Sequence, residues 1–387
     1  MTIPGVTSTG SKRPESLFGP GDLSGLPTRM MRSAGSRLWD AEGREYLDYV
    51  MALGAVTLGY GHPAVSEAAR EALGRGGLGS LAPVDEERLA SRLAALLPWI
   101  EQVRFLKTGA EAVAAAVRIG RAATGRDRVL GCGYHGWLDL AATEPGVPKT
   151  ISALYGTVPF NDCDGTLHAI REVGDGLALV IIEPVVDGPP SLEWLRLLRA
   201  ETERVGAALV FDEIKTGFRL AVGGAVERYG VRPDLVVYGK ALGNGFPLAA
   251  VGGSRRFMDV VTRTWISSTL ATEFVALAAA HAAVDATVRL RVPEHLAGVG
   301  GAFYAGLGAI AARHPRLVTG VAGIPEMCHL RFRDDATGAA VARGAARRGV
   351  LFKRTGYNFV SLAHELADNV RCLDVVSDVL QELEARC

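Results

Sequence analysis

The chain has 387 residues, of which 48% are apolar and 7% aromatic, and its formal net charge at pH 7 is zero. This composition is typical of an ordinary globular protein and excludes a disordered or fibrous chain. Lysine and arginine are spread along the sequence with no basic run between aromatic residues, so we expect no nucleic-acid partner. The length exceeds the size at which single cores stop growing, which predicts two packed lobes.

The cysteines are odd in number and form no CxxC pair, which predicts reduced thiols and neither a disulfide framework nor a metal site. They are Cys132, Cys163, Cys328, Cys372 and Cys387. Lys12 and Arg13 are followed by no apolar segment, and no uninterrupted apolar run reaches membrane-spanning length. We therefore expect a cytoplasmic protein without a membrane partner.

The first predicted elements lie near the N-terminus. Residues 1–35 are rich in Gly, Ser and Pro without periodicity, which predicts an arm or loop. Residues 37–49, RLWDAEGREYLDY, predict a hairpin that turns at Glu42 and Gly43. Leucines at helical spacing predict a helix over Glu86–Leu97, which Pro98 ends.

From Val103 onward, short apolar strands alternate with amphipathic helices, which predicts an α/β fold with a mainly parallel central sheet wrapped by helices. Leu177–Val186, Ala207–Ile214 and Leu235–Tyr238 are near-continuous apolar runs, as in strands that are buried on both faces.

The predicted elements after residue 290 are helix, strand, helix, strand and helix, which favours a smaller α+β domain at the C-terminus. We therefore expect three segments. Residues 1–55 form an N-terminal arm and hairpin that pack on the small domain, residues 56–290 form the large domain, and residues 291–387 form the small domain.

Lys240 follows an apolar strand and precedes a glycine-rich turn in LVVYGKALGNGFPLAAVGG. Burial at a strand end lowers the pKa of a lysine and frees its amine to attack an aldehyde. The neighbouring glycines let the backbone approach a flat ligand. The alternative is a surface lysine in a strand-to-helix turn.

Two carboxylates also follow apolar strands. Asp212 ends a strand in LVFDEIKTGFR, at the edge where open parallel sheets bind ligands, and a carboxylate there suits a cationic ring nitrogen. Its alternative role is that of a helix cap or an ion-pair partner. Glu183 ends a third strand in IIEPVV, and its alternative role is hydrogen bonding behind the site.

Thr108, Gly109 and Ala110 lie where a turn opens an alanine-rich helix, in FLKTGAEAVAAAVRIGR. Free amides at such a helix start, with the positive end of the helix dipole, can hold a phosphate. Alternatively, Thr108 is a plain N-cap that forms a capping box with Glu111, and both roles can hold at once.

Tyr134 and His135 follow a short apolar run in LGCGYHGWLD. In that position the tyrosine ring can lie over a flat heteroaromatic ligand. The alternative is that both side chains are ordinary core residues with satisfied polar atoms.

Taken in order, these segments resemble class III aminotransferases of the fold-type I pyridoxal-phosphate (PLP) enzymes, in the branch around glutamate-1-semialdehyde aminomutase. The likeness runs from about Leu38 into the C-terminal domain. It is carried by DAEGREYLDYV, LGYGHP, TGAEAVAAAVRIGRAATGRD, YHGW, IIEPV, FDEIKTGFR, PDLVVYGKALGNGFPLAAVGG and SSTLATE. The order of FDE, then TGFR, then GK about two dozen residues later is far more specific than any single motif.

The resemblance implies the roles of the site residues. Lys240 would form the Schiff base with PLP, Asp212 would face the pyridinium nitrogen, and Tyr134 would stack on the ring. Lys240 and Asp212 are the candidate catalytic residues. The candidate cofactor-binding residues are Thr108, Gly109, Ala110, Tyr134, His135, Glu183, Asp212, Lys240 and Thr269. Thr269, in SSTLATE, matches a threonine that crosses the dimer interface to the partner's phosphate, which implies a homodimer with shared active sites.

The implied function is a PLP-dependent aminotransferase that moves an amino group from an amine donor to a carbonyl acceptor, with Lys240 as general acid and base. MALGAVTLGYGHP, YHGW, the Gly243–Gly245 turn and SSTLATE are closer to aminotransferase-like proteins found beside sugar and polysaccharide pathways. An acceptor of that kind is a keto sugar, a cyclitol or a secondary-metabolite intermediate.

The chain departs from the aminomutase pattern at two places. It has Thr108-Gly109-Ala110 where that pattern has Ser-Gly-Thr, and it lacks a tryptophan near Leu53. Arg354, in LFKRTGYNF, is the candidate partner for a distal substrate carboxylate. The alternatives are a glutamate-1-semialdehyde-type 2,1-aminomutase, whose donor and acceptor carbons belong to one molecule, a racemase, and a noncatalytic PLP-fold binding protein.

Overall fold

The structure, a computed structural model, describes residues 2–142 and 144–385, so Cys387 lies outside the described residues. The contacts divide the chain into two compact units. The terminal unit comprises Met1–His62 and Glu294–Cys387, and the central unit comprises Pro63–Pro293. These limits lie a few residues from the boundaries expected at 55 and 290.

The strands are β1 (Met30–Ala34), β2 (Arg37–Asp40), β3 (Glu45–Asp48), β4 (Gln102–Leu106), β5 (Arg128–Cys132), β6 (Tyr155–Thr157), β7 (Leu177–Ile182), β8 (Ala208–Asp212), β9 (Leu235–Tyr238), β10 (Ala249–Gly253), β11 (Val318–Ile324), β12 (Met327–Phe332), β13 (Val350–Leu351) and β14 (Asn358–Phe359). The helices are α1 (Pro14–Phe18), α2 (Met51–Gly54), α3 (Pro63–Gly74), α4 (Val84–Leu96), α5 (Gly109–Thr124), α6 (Lys149–Ser152), α7 (Cys163–Val173), α8 (Leu192–Val205), α9 (Gly224–Tyr229), α10 (Arg255–Met258), α11 (Phe274–Arg289), α12 (Val292–Arg313), α13 (Asp335–Arg347) and α14 (Leu366–Glu384). Short 3₁₀ helices include Lys240–Leu242 and Thr269–Thr272.

The central unit contains a seven-stranded sheet in the order β4-β10-β9-β8-β7-β5-β6. Strand β10 pairs antiparallel with both of its neighbours, whereas β9, β8, β7, β5 and β6 pair in parallel. The predicted mainly parallel sheet is therefore confirmed. Every residue of β7, β8 and β9 is buried, which explains why their sequences are apolar runs without alternation.

Helices cover both faces of this sheet. Alternate residues of β7 point to opposite sides, so Leu179 and Ile181 pack in one apolar cluster with α5, while Val180 and Ile182 pack in another with α8, α4 and α11. The α5 backbone lies very close to the sheet, because a Cβ placed on Gly120 would come within 2.4 Å of Leu179 Cδ2. This packing fixes the N-terminus of α5 beside the carboxyl ends of the strands.

The terminal unit contains two smaller sheets, ordered β1-β2-β3-β13 and β11-β12-β14. The predicted hairpin is confirmed by antiparallel pairing of β2 with β3, in which Arg37 faces Leu47. The expectation of an arm or loop over residues 1–35 is wrong in part, since α1 and β1 form there. Strand β1 is almost fully exposed and has no apolar alternation, so it forms through its pairing with β2 rather than through burial.

The four cysteines in the described part of the chain are free thiols, and Cys132, Cys328 and Cys372 are buried. Among the described helices, α12 is long and apolar enough to cross a membrane by length and composition. Protein cores also contain helices of this kind, and the α12 side chains of Leu296, Phe303 and Leu307 are fully buried.

Candidate active site

The carboxyl edge of the central sheet gathers residues from four neighbouring parallel strands. Asp212 is the last residue of β8, and Glu183 directly follows β7. Tyr134 lies two residues after β5, and Lys240 lies two residues after β9. Since the carboxyl ends of parallel strands meet at one edge, the sheet brings together residues that are far apart in sequence.

Asp212 and His135 form a buried pair at this edge. Nδ1 of His135 donates to Oδ2 of Asp212 over 2.9 Å, and the two side chains are 0% and 2% exposed. The second carboxylate oxygen of Asp212 accepts the amide of Ile214 at 3.2 Å. Nε2 of His135 is buried and has no hydrogen-bond partner among the described residues. The imidazole therefore binds one oxygen of the carboxylate through Nδ1 and leaves Nε2 available to a ligand.

Lys240 occupies a strained turn directly after β9. It follows Gly239, begins a 3₁₀ helix and has a φ of 43°, a left-handed conformation that costs a non-glycine residue about 1–2 kcal/mol. Burial, together with the charges of Lys215 and Arg219, lowers the pKa of Lys240 to about 7, although Glu183 and Asp212 oppose the shift. An appreciable fraction of the amine is therefore uncharged at neutral pH, as a nucleophile requires.

The start of α5 lies against the turn that follows Asp212. A Cβ on Gly109 would come within 2.6 Å of Ile214 Cδ1, and one on Gly136 would come within 2.7 Å of the Ala110 Cβ. The amides of Gly109 and Ala110 belong to the first turn of the helix, where the helix itself offers no acceptor. This helix start could hold an anionic group.

The predicted capping box at Thr108 is confirmed. Oγ1 of Thr108 accepts the Glu111 amide at 3.2 Å, and Oε2 of Glu111 accepts the Thr108 amide at 2.8 Å. Thr108 is itself exposed. Its hydroxyl is thus committed to fixing the helix start, and the neighbouring Gly109 and Ala110 amides stay available.

Glu183 joins two of the turns at the sheet edge. Oε2 of Glu183 accepts the amide of Tyr134 at 3.0 Å, and Oε1 lies 2.7 Å from Nζ of Lys215. The carboxylate thus makes hydrogen bonds at the sheet edge, and its role toward a ligand stays a prediction. Lys215, the third residue after Asp212, is the neighbour that the sequence analysis did not include in the site.

Glu213 is a second residue that sequence reasoning missed. It is fully buried, and burial raises its pKa to about 7. Its carboxylate accepts the amides of Ala225 and Val226 at 3.0 and 2.9 Å, so it caps the start of α9. The signal in the sequence is the second acid of FDE. Because Asp212 is its direct neighbour, this cap fixes the backbone on which Asp212 stands.

Two predicted side chains of the central unit are exposed. Tyr134 is 70% exposed, and Thr269 lies exposed in its 3₁₀ helix. In the described residues, no hydrogen bond or ion pair joins the Thr269 side chain to the sheet edge. Arg354, in the terminal unit, forms an ion pair with Asp335 and donates to the Glu15 carbonyl at 3.3 Å.

In chemical terms, the sheet edge offers a nucleophilic amine, a buried carboxylate paired with imidazole and the free amides of a helix start. This set could hold a flat aldehyde that bears a cationic ring nitrogen and an anionic group. The sequence model of the aminotransferase class-III family matches residues 22–382. The chain belongs to the class III aminotransferase family.

Comparisons with individual proteins agree with this assignment to the class III aminotransferase family. The chain is 40% identical over 260 residues to glutamate-1-semialdehyde 2,1-aminomutase of Pyrobaculum calidifontis, a match that covers 62% of this chain and 59% of that protein. The chain thus spans under two thirds of the length of this relative.

Two solved structures are similar over nearly the whole chain. FumI of Sphingopyxis sp. MTA144, solved in its PLP internal aldimine form, is 26% identical with a TM-score of 0.88 and coverage of 96% and 94% of the two chains. The β-phenylalanine aminotransferase of Variovorax paradoxus is 27% identical with a TM-score of 0.87 and coverage of 99% and 92%. The expected fold-type I architecture is therefore confirmed.

Proposed function

We propose that this family member is a PLP-dependent aminotransferase that moves an amino group between an amine donor and a carbonyl acceptor. The observation that carries the proposal is the buried Asp212–His135 pair at the sheet edge that also holds Lys240. Membership in class III and the PLP form of FumI support it.

The residues present fit PLP. Nζ of Lys240 would bind the aldehyde carbon, and the carboxylate of Asp212 would bind the ring nitrogen. The amides of Gly109 and Ala110 would hold the phosphate, with the positive end of the α5 dipole behind them. The exposed ring of Tyr134 provides a surface on which the pyridine ring could stack. The unpartnered Nε2 of His135 is a further polar atom for this ligand.

When bound, PLP supplies an electron-withdrawing ring that stabilises negative charge on the carbon of an attached amine. The protein contributes the proton transfers. Nζ of Lys240 takes a proton from the substrate carbon and returns it as general acid and base, which suits a pKa of about 7. Asp212, oriented by His135, keeps a proton at the ring nitrogen because its carboxylate is buried and charged groups attract strongly there.

For the acceptor we propose a keto sugar, a cyclitol or a secondary-metabolite intermediate. The support is in the sequence: Leu53 stands in MALGAVTLGYGHP, near the position where the aminomutase pattern has tryptophan, and Ala110 replaces its threonine. These features favour an acceptor that lacks the carboxylate of glutamate semialdehyde.

The second candidate function is a 2,1-aminomutase, which moves an amino group within one molecule. The observation in its favour is the 40% identity to the aminomutase of Pyrobaculum calidifontis. Both functions use the same Lys240 chemistry. They differ in whether a separate carbonyl product leaves the enzyme.

A direct experiment tests both functions. The PLP-loaded protein is incubated with a panel of amine donors, and pyridoxamine phosphate and the released carbonyl product are measured. Glutamate 1-semialdehyde is tested alone in parallel. Donor-dependent release of a carbonyl product supports the aminotransferase, and isomerisation without release supports the aminomutase. If the protein shows no visible absorbance band with PLP, the noncatalytic alternative is favoured.

Trapping identifies the nucleophile. After borohydride reduction of the PLP-loaded protein, peptide mapping should find the pyridoxyl label on Lys240, which follows the buried strand β9. A label on Lys215 instead would contradict the site assignment.

We also propose that the active unit is a cytoplasmic homodimer in which Thr269 reaches the phosphate bound at Gly109 and Ala110 of the other subunit. Exposure of Thr269, Leu270 and Trp265 in the single chain supports a partner at this surface. Lys240→Ala should be inactive, and Thr269→Ala should bind the cofactor more weakly by about 1.5–3 kcal/mol. Mixing the two chains should raise activity above that of either chain alone, because one site of each mixed dimer carries neither change. No increase despite subunit exchange contradicts shared sites.

A further inference from the structure

Lys215 forms an ion pair that the proposed catalytic roles do not use. It lies three residues after Asp212, and its Nζ lies 2.7 Å from Oε1 of Glu183. The two side chains are 17% and 8% exposed. Taking two charges out of water is costly unless the pair is well oriented and further hydrogen bonds satisfy it, so such a pair defines one local geometry.

The same carboxylate is held on its other side by the turn after β5. Oε2 of Glu183 accepts the Tyr134 amide at 3.0 Å, and the Glu183 amide donates to the Cys132 carbonyl at 2.8 Å. Gly133 has a φ of 106°, and a Cβ there would come within 2.6 Å of Oε2. The turn is therefore shaped to admit Oε2 of the Glu183 carboxylate, and Lys215 binds the other oxygen, Oε1.

The pair also acts on Lys240 through charge. Among the described residues, four ionisable groups affect the protonation of the Lys240 amine: Lys215 and Arg219 disfavour it, whereas Glu183 and Asp212 favour it. Lys215 is the largest of these charge effects, and only burial is larger. Removal of the Lys215 charge would leave Glu183 to attract a proton to Lys240 without opposition from its ion-pair partner.

We propose that Lys215 is a positioning residue, whose ion pair with Glu183 holds the Gly133–Tyr134 turn at the sheet edge and whose charge opposes that of Glu183 at the Lys240 amine. What the amine then does rests on the proposed function, but its protonation does not. The inference can therefore be tested on the apoprotein.

The experiment measures the reactivity of Lys240 in the apoprotein. Trace labelling with an amine-reactive reagent from pH 5 to pH 10, followed by peptide mapping, gives the midpoint of the Lys240 titration. We expect a midpoint near 7 for the unchanged chain. Lys215→Met should raise it by about one pH unit, which lowers the unprotonated fraction, and hence labelling at pH 7, by about fivefold. Lys215→Arg should restore the midpoint because it keeps the charge.

A second readout reports the turn. Hydrogen exchange at the Tyr134 amide should accelerate in Lys215→Met and return towards the original rate in Lys215→Arg. The matched control is Lys107→Met, which removes a similar ion pair, with Nζ of Lys107 2.6 Å from Oε1 of Glu273 and side chains 12% and 18% exposed. It should change neither readout.

The double variant Lys215→Met/Glu183→Met keeps the test decisive if Lys215→Met alone does not fold. Since it removes two opposing charges, its Lys240 midpoint should stay near that of the unchanged chain while Tyr134 exchange accelerates. An unchanged midpoint and exchange rate in Lys215→Met overturn the inference. If the midpoint and exchange respond as expected but no donor yields pyridoxamine phosphate, the proposed function fails and the inference stands.

Discussion

Replacement of Asp212 by asparagine tests the electrostatic role of the buried pair. The change keeps the side-chain shape, and the single oxygen of the new amide can still accept from His135 Nδ1, which Asp212 now binds over 2.9 Å. The Ile214 amide, which donates to the other Asp212 oxygen at 3.2 Å, then loses its acceptor, so the fold should persist with a modest decrease in Tm. What disappears is the negative charge that would hold a proton at the ring nitrogen.

The size of the effect follows from the burial of this carboxylate. Asp212 is 2% exposed at its side chain, so water cannot replace the lost interaction. A hydrogen bond to a charged group is worth about 1.5–3 kcal/mol, which corresponds to about a 10- to 150-fold lower rate of proton transfer at the substrate carbon. The loss of the electron-withdrawing ring charge adds to this, so the value is a lower limit.

The assay is a single-turnover half-reaction with saturating donor, followed by absorbance. PLP retention, measured by dialysis, should remain. The matched control is Asp234→Asn, since Asp234 is a carboxylate at the amino end of β9 that accepts from Arg199 Nη1 at 2.9 Å and the Leu209 amide at 2.8 Å. It should lower stability without slowing the half-reaction. Equal half-reaction rates in Asp212→Asn and the unchanged chain would refute the role given to Asp212.

Three further changes test the site without catalysis. The pKa of Lys240 is about 7 in the folded chain and 10.5 ordinarily. Between pH 7 and pH 10.5 the unfolded chain therefore binds more protons than the folded chain. The free energy of unfolding of the apoprotein should rise with pH over this range. Denaturant titrations of Lys240→Met should show a flatter rise, and an equal slope would contradict the lowered pKa. Thr108→Ala removes the cap of α5 and should cost about 0.5–2 kcal/mol of unfolding free energy, measured by urea denaturation. Gly133→Ala places alanine at a φ of 106° and brings its Cβ into a clash with the Glu183 side chain. This change should lower the apoprotein Tm more than Gly125→Ala, where no atom lies within 4 Å of the added Cβ.

Local sequence patterns predicted much of the central unit. The apolar runs of β7, β8 and β9 indicated strands that are buried on both faces, and all their residues are buried. Because a polar residue that ends such a run must lie at the sheet edge, the positions of Asp212 and Lys240 followed from the sequence. The Thr108 capping box was equally predictable, since it involves residues only three apart.

Pairings between distant segments required the tertiary structure. His135 and Asp212 are 77 residues apart, and they meet because β5, β7 and β8 are neighbours in the sheet, an order that no local pattern encodes. Strand β1 could not be predicted from its local sequence for the same reason, because it forms by pairing with β2 and has no apolar pattern of its own.

The family resemblance indicated Lys240 as the Schiff-base lysine, in agreement with its position after an apolar strand and before a glycine-rich turn. Only the structure showed what Lys215 does, because an ion pair depends on the distance between side chains from two strands and not on spacing along one. The amino-acid sequence determines which residues lie at the end of each strand, whereas the order and packing of the strands determine which of those side chains contact one another.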